Sequence, residues 1–149
     1  MVKCAEYHVN KHCVKMILET TQLLNNALIH NDSEYDPIYK RTHKNHPASI
    51  WTSESCENFD WLVSLGLALC DEYTFRYDKR HKCQSIIESF KDNKSRLKFP
   101  DYPMTPFKLC MPDEYKTDDA VESYRNYYRG AKTAIASWKN RPVPYWWNI

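Results

Sequence analysis

The sequence predicts an all-α protein, a single compact helical domain over 1–149 with long ordered loops and an extended aromatic tail at 141–149. Three observations carry this expectation. Glycine is nearly absent, with only Gly66 and Gly130 in 149 residues, whereas a strand-and-turn fold needs turn glycines. Apolar residues recur at helical spacing over several long stretches. The eight prolines cluster in 37–47, 100–112 and 142–144, which read as loops. The length suits one domain with one sizeable core.

The first helix is expected from about Glu6 to Ile29. Cys13, Met16, Ile17, Leu24, Ala27 and Leu28 form its apolar stripe. The opposite side carries Lys11, Lys15, Glu19, Gln22 and Asn26, one carboxylate in a row of cations and amides. That row is either an ordinary solvated face or one wall of a site for something anionic. Asn31, Asp32 and Ser33 end the helix, and 31–46 is a polar loop with a basic, histidine-rich end.

Pro47 suits the first turn of a second helix behind a non-helical His46. The next pattern runs through Phe59, Leu62, Val63, Leu65, Leu67, Leu69 and Tyr73. It is apolar nearly all round between Trp61 and Cys70, so it predicts the central buried helix, capped by Ser53 or Ser55. Charged residues 78–82 break the pattern. A short helix follows with Cys83, Ile86, Ile87 and Phe90 on one face. Four prolines keep 94–116 from being a continuous helix, yet its apolar residues predict an ordered strap across the domain. Thr117, Asp118 and Asp119 cap a last long helix, whose stripe runs from Ala120 through Tyr124, Tyr127, Tyr128, Ala131, Ala134 and Ile135 to Trp138.

A formal net charge of +2 does not by itself announce a nucleic-acid binder. No apolar run reaches membrane-spanning length and no signal peptide is evident, so no membrane partner and a cytoplasmic location are expected. The six cysteines include no Cys-x-x-Cys, and Cys13 and Cys70 fall on apolar helical faces, so they read as reduced, buried thiols.

Four groups of residues are candidates for chemistry. Arg125, Arg129, Lys132 and Lys139 share one side of the last helical stretch beside Tyr124, Tyr127 and Tyr128, a pattern that suits phosphates and stacked bases or a solvated face. Glu72 and Arg76 are i, i+4 partners after a strongly apolar run. With Lys79, His81 and Lys82 they form either an anion pocket or a helix C-terminus decorated with cations. His43 and His46 lie in the basic loop that starts at Lys40 and Arg41. They suit phosphate or base contacts, or acid–base work near neutrality. His8 and His12, with Cys4, or His43 with His46, could begin a zinc site, but neither set completes a recognised ligand spacing; no metal or cofactor is expected. No phosphate-cradling glycine loop and no Gly-x-Ser-x-Gly elbow occurs.

The order of motifs resembles a known family. Asn10, Lys11 and His12, followed by Glu19 seven residues after the histidine, resemble the first helix of the pyrimidine-dimer DNA glycosylases of the phage endonuclease V type. A basic loop with a proline (His43 to Pro47), a long aromatic and leucine-rich helix, and the stretch Ala134 to Pro142 before an aromatic tail extend the likeness. The run from Lys15 and Met16 through Glu19 and Gln22 to Leu23 and Leu24 also looks like that of phage and large-virus proteins.

The resemblance implies a catalytic carboxylate at Glu19 that supports sugar chemistry after an amine attacks C1′. The family uses a free N-terminal amine, here that of Val2 if Met1 is removed. Lys15, one turn from Glu19, is a substitute nucleophile if its pKa is depressed. The family also brings arginines around its glutamate, and the corresponding positions here are Leu18 and Gln22.

The expected function is that of a viral nucleic-acid- or nucleotide-binding protein of DNA-glycosylase-like type, with base-excision chemistry at Glu19 and DNA or a small nucleotide as partner. The expected catalytic pair is Glu19 and Lys15. The expected phosphate and nucleotide contacts are Lys11, His12, Gln22, His43, His46, Arg76, Lys79, His81, Lys82, Tyr124, Arg125, Tyr128 and Lys132. The alternative is a non-catalytic viral sponge that sequesters a nucleotide second messenger against host defence. A third reading has Tyr145, Trp146 and Trp147 docking a partner, unless they pack back on the core.

Overall fold

A computed structural model describes residues 1–94, 98–100 and 102–148. Parts of the expected strap (95–97 and 101) and the last residue of the tail lie outside the described residues. The fold is all-α. Helices α1 (Val2–Tyr7), α2 (Asn10–Asn31), α3 (Pro47–Glu54), α4 (Cys56–Tyr77), α5 (Gln84–Asp92) and α6 (Ala120–Ala131) follow in order, with 3-10 turns at Asp113–Tyr115 and Thr133–Ile135. No strand occurs among the described residues.

Helix α4 is the axis of the core. Its Phe59, Leu62 and Leu69 pack with Ile17, Leu24 and Leu28 of α2, Trp51 of α3, and Ile87 and Phe90 of α5. Each such buried side chain contributes about 1.5–3 kcal/mol relative to exposure. Gly66 lets α4 approach α2 and α5 closely. A Cβ there would come 2.9 Å from Thr20 Cγ2 and 3.1 Å from Ile87 Cδ1.

The helix ends follow local chemistry. Pro47 opens α3, and the His46 ring accepts from the Ala48 amide. Ser55 caps α4 by accepting from the Asn58 amide, 3.1 Å away. Asp78 takes the left-handed conformation (φ 53°) that stops α4. Asp119 caps α6 through the Glu122 amide.

Two expected helices are shorter than the periodicity implies. The first breaks at His8 and Val9, both extended. The cause is Arg76, whose guanidinium reaches across from α4 and takes the carbonyls of Glu6 (2.9 Å) and His8 (2.8 Å). Those acceptors are thereby satisfied outside a continuous helix. The last helix stops at Ala131, so Ala134, Ile135, Trp138 and Lys139 do not continue its stripe. Beyond it the chain is held against the α1–α2 junction. The Trp138 indole donates to the Tyr7 carbonyl, and the Asn10 amide donates to the Ser137 carbonyl. Ser123 is the one buried residue of α6, so its tyrosines are not a core stripe.

The strap packs as expected. Trp51 Nε1 donates to the Thr105 carbonyl, and Asn58 and Thr105 exchange two hydrogen bonds. The tail returns to the body. Trp146 is buried, with its ring edge-on to Tyr7 and near Tyr128, and its carbonyl accepts from Arg129. The cysteines are free, but only Cys13, Cys70 and Cys83 are buried. Cys4 is exposed, and Cys56 and Cys110 are half-buried, against the expectation of uniformly buried thiols.

Candidate functional site

The polar row of α2 divides into an open part and a covered part. Lys11 and Lys15 are exposed, and His12, Glu19 and Gln22 are half-buried. Asn26, one turn further on, is buried beneath the loop, donating to the Thr42 carbonyl (2.6 Å) and Ser49 Oγ (3.0 Å). Its Oδ1 is buried with no partner among the described residues. The row is therefore a wall at one end and a structural clamp at the other.

At the open end, Lys15 Nζ lies 2.9 Å from Glu19 Oε1. Helical spacing alone brings them together, one turn apart. The carboxylate raises the lysine pKa by hydrogen bonding and by charge. A nucleophilic amine needs the opposite shift, a lowered pKa.

The C-terminal end of α6 completes this region. Tyr128 Oη is 2.7 Å from His12 Nδ1, and the rings meet edge to face at 5.4 Å. Burial raises the Tyr128 pKa, so the phenol stays protonated. Burial lowers the His12 pKa, and the Lys132 and Lys15 charges add to that, with Glu19 opposing. With both groups neutral, the hydroxyl can donate to Nδ1 and leave the ring proton on Nε2. Lys132 Nζ sits 4.5 Å from the centre of the Tyr127 ring, a cation–π placement. His12, Lys15, Glu19, Tyr128 and Lys132 thus form one cluster carrying two ammonium groups, one carboxylate and a neutral imidazole–phenol pair.

Other expected contacts are engaged elsewhere. Arg76 is only 1 % exposed, and its guanidinium bonds Glu72, Glu6, His8 and Asn10. It organises the interior and does not face a ligand. Arg141 adds a second guanidinium to Glu72. Burial pushes the Glu72 pKa up, but hydrogen bonds from Arg141 and Arg76 override it and hold the carboxyl below its ordinary range. The expected Glu72–Arg76 anion pocket is therefore a closed ion network.

His81 accepts from the Cys83 amide and stacks edge-on against Tyr73. Lys79 and Lys82 are exposed on the turn after α4. His43 is exposed with φ 50°, and His46 caps α3. Tyr124 donates to the Lys108 carbonyl. Arg125 lies over the Tyr145 and Trp146 rings and bonds the Tyr145 hydroxyl. None of these residues contacts the Glu19 cluster directly among the described hydrogen bonds and ion pairs, so the expected set does not form one site. His8 Nδ1 bonds the Cys4 carbonyl, and burial lowers its pKa to about 4. Among the described residues no group of three or more His, Cys, Asp or Glu is placed to hold a metal ion.

The sequence reading missed Asn10, which joins Arg76, Ser137 and the Lys139 amide, and missed Arg141 as a partner of Glu72. Paired amides inside an apolar stretch, as at Asn25 and Asn26, are a sequence signal of buried polar clamps; Asn10 offers no such signal.

The described chain is thus a helical scaffold that places a carboxylate–ammonium pair on the same helix as a histidine paired with a tyrosine. The chain belongs to the pyrimidine dimer DNA glycosylase family, whose family model matches residues 2–85. That span carries His12, Lys15 and Glu19 and runs from α1 into α5, whereas Tyr128 and Lys132 lie beyond it. No curated protein and no solved structure matches the chain. No described helix is long and apolar enough to cross a membrane.

Proposed function

We propose that this protein binds DNA through the exposed face of α2 and excises a damaged base there, with Glu19 as the catalytic carboxylate. The observation that carries the reading is the Lys15–Glu19 pair at 2.9 Å, inside the family-matched segment, with Lys15 one turn and Glu19 about two turns from His12. As the bond between C1′ and the base breaks, the base leaves with the electron pair and positive charge builds on the sugar. A carboxylate facing that charge lowers the barrier, while Lys15 and Lys132 attract the flanking phosphates. Water, or a free amine of the chain, then bonds to C1′. With water its proton passes to the solvent or the departing base; with a primary amine one N–H proton passes through solvent to O4′ as the C1′–O4′ bond breaks, which leaves a protonated imine at C1′. The aromatic surroundings of His12 suit a nucleotide drawn out of the stack.

The test is base release from duplexes carrying a pyrimidine dimer, an abasic site or another single lesion, with and without borohydride. Release without a borohydride-trapped adduct assigns water as nucleophile; a trapped adduct assigns an amine. No release from any lesion overturns the excision reading.

A second reading is favoured by one observation. The positions flanking Glu19 are Leu18 and Gln22, so the face offers few groups to grip a duplex. The same cluster would then hold a small nucleotide without chemistry, as a viral protein would to sequester a defence messenger. Recovery of an intact nucleotide from the denatured native protein supports this reading, and a chemically altered one contradicts it.

A further inference from the structure

A second concave region lies apart from the Glu19 cluster and shares no residue with it. It is a cleft of ≈ 550 Å³ between the loop after α2, the exposed side of α3 and the strap. That volume falls within the about 300–1,000 Å³ usual for small-molecule sites. Arg41, Lys44 and Lys108 bring positive charge to it, and Tyr102, Ile50 and Pro100 supply an apolar side. Arg41, Lys44 and Tyr102 are exposed to solvent, with Tyr102 at 64 %.

Both walls are tied down by buried amides. On one side, Asn26 Nδ2 holds the Thr42 carbonyl and Ser49 Oγ, which fixes the stretch between Arg41 and Lys44 against α2 and α3. On the other, Asn58 exchanges hydrogen bonds with Thr105 (2.8 and 3.0 Å), and Trp51 Nε1 donates to the Thr105 carbonyl (3.1 Å). The walls of the cleft are therefore held in place, and the ordering cost of binding falls on the exposed side chains of Arg41, Lys44 and Tyr102.

The charges are not equally committed. Lys108 faces Glu54 at 3.6 Å, and Glu54 also accepts from Thr105 Oγ1. Arg41 and Lys44 have no ion-pair partner among the described residues. A forked guanidinium and an ammonium within one short loop suit the oxygens of a phosphate, which Arg can hold in bidentate fashion. An exposed tyrosine across the cleft is a stacking surface for a flat ring.

We propose that this cleft binds a nucleoside monophosphate group, its phosphate on Arg41 and Lys44 and its base against Tyr102. The group comes either from a free nucleotide or from the 5′-phosphorylated end of a strand. Binding here does not depend on whether Glu19 breaks a bond.

The test is calorimetric titration of the full chain with thymidine 5′-monophosphate, inorganic phosphate, thymidine and a 5′-phosphorylated trinucleotide. The expected result is saturable binding of the monophosphate, weaker binding of phosphate alone and none of thymidine. Arg41→Ala with Lys44→Ala weakens binding about ten-fold or more, in line with losing charge-assisted contacts. Tyr102→Ala weakens the monophosphate but not inorganic phosphate. The part of the binding that is lost with Arg41 and Lys44 persists in Glu19→Gln, which separates this site from the Glu19 cluster. If the trinucleotide binds more tightly than the monophosphate and depends on Arg41 and Lys44, the source is a strand end; the reverse order assigns a free nucleotide. The three changed residues are exposed, so the variants keep the fold, as circular dichroism checks. Thymidine binding equal to the monophosphate, or affinity unaffected by losing Arg41 and Lys44, overturns the proposal. So does the absence of binding by any phosphate-bearing probe.

Discussion

Arg141 of the C-terminal segment grips the carboxylate of Glu72 near the C-terminal end of α4, with Nη2 2.9 Å from Oε2 and Nε 3.1 Å from Oε1. Its guanidinium also lies 3.9 Å from the centre of the Phe75 ring. This clamp ties the tail to the axis helix and completes the pairing of a carboxylate that Arg76 engages from the other side at 2.6 Å. Removing one partner of a buried ion network leaves a desolvated charge behind, which is the larger part of the cost.

Arg141→Ala is expected to destabilise the fold by about 2 kcal/mol in urea unfolding, below the full penalty for an unpaired buried charge because Arg76 remains. The same network gives an acid signature. The folded-state pKa of Glu72 lies below its ordinary 4.5, so its stabilisation is present above that value and fades as pH falls through the lower folded value. In Arg141→Ala the depression shrinks, and the acid-unfolding midpoint moves to higher pH. An unchanged midpoint would remove Arg141 from the network's energetics.

Gly66→Ala should destabilise despite the better helix propensity of alanine. The propensity gain is about 1 kcal/mol, while overpacking costs about 1–3 kcal/mol. The contact is with Thr20 Cγ2 at 2.9 Å, so Thr20→Ser in the same chain should recover part of the loss. Thermal unfolding of the single and double variants checks both signs.

His12 and His8 both have folded pKa values below the ordinary 6.5. The unfolded chain therefore binds more protons, and stability falls as pH drops below 6.5 toward the folded values. Burial is the first cause at His12, and Lys132 the next. Lys132→Ala is thus expected to raise the His12 pKa, read from its ring proton shifts by NMR, while His8 keeps titrating near 4. A His12 value that does not move would place Lys132 electrostatically outside the cluster.

Trp146 is 4 % exposed and meets Tyr7 at 5.7 Å between ring centres. Trp146→Ala should cost about 3–5 kcal/mol, the usual range for a large aromatic lost from a packed position. Truncation after Pro142 should destabilise the body similarly, measured by chemical unfolding. A truncated chain of unchanged stability would return the tail to the role of a docking arm.

The all-α class, the core face of α4, the Pro47 start, the Ser55 and Asp119 caps and the α5 face were legible because each depends on residues within a few positions of one another. The break at His8 was not. It is made by Arg76, 68 residues away from the carbonyl it takes, and no local pattern encodes that reach. The early end of α6 has the same origin, since Asn10 and Tyr7 hold the 137–139 stretch. In the candidate site, Lys15 and Glu19 could be paired by spacing alone, whereas the meeting of His12 with Tyr128 spans 116 positions. Charge without context misled at Arg76, where burial turned an expected ligand contact into an interior strut.

If Glu19 serves bond breaking on the open face of α2, losing its charge strikes base release and not DNA binding. The most direct test is to measure duplex affinity and base-release rate together, on one lesion-bearing DNA, for the wild-type chain and Glu19→Gln. Release is expected to fall about a hundred-fold or more, as for removal of a catalytic carboxylate, with affinity retained within a few-fold. Equal release by both proteins would contradict that role for Glu19.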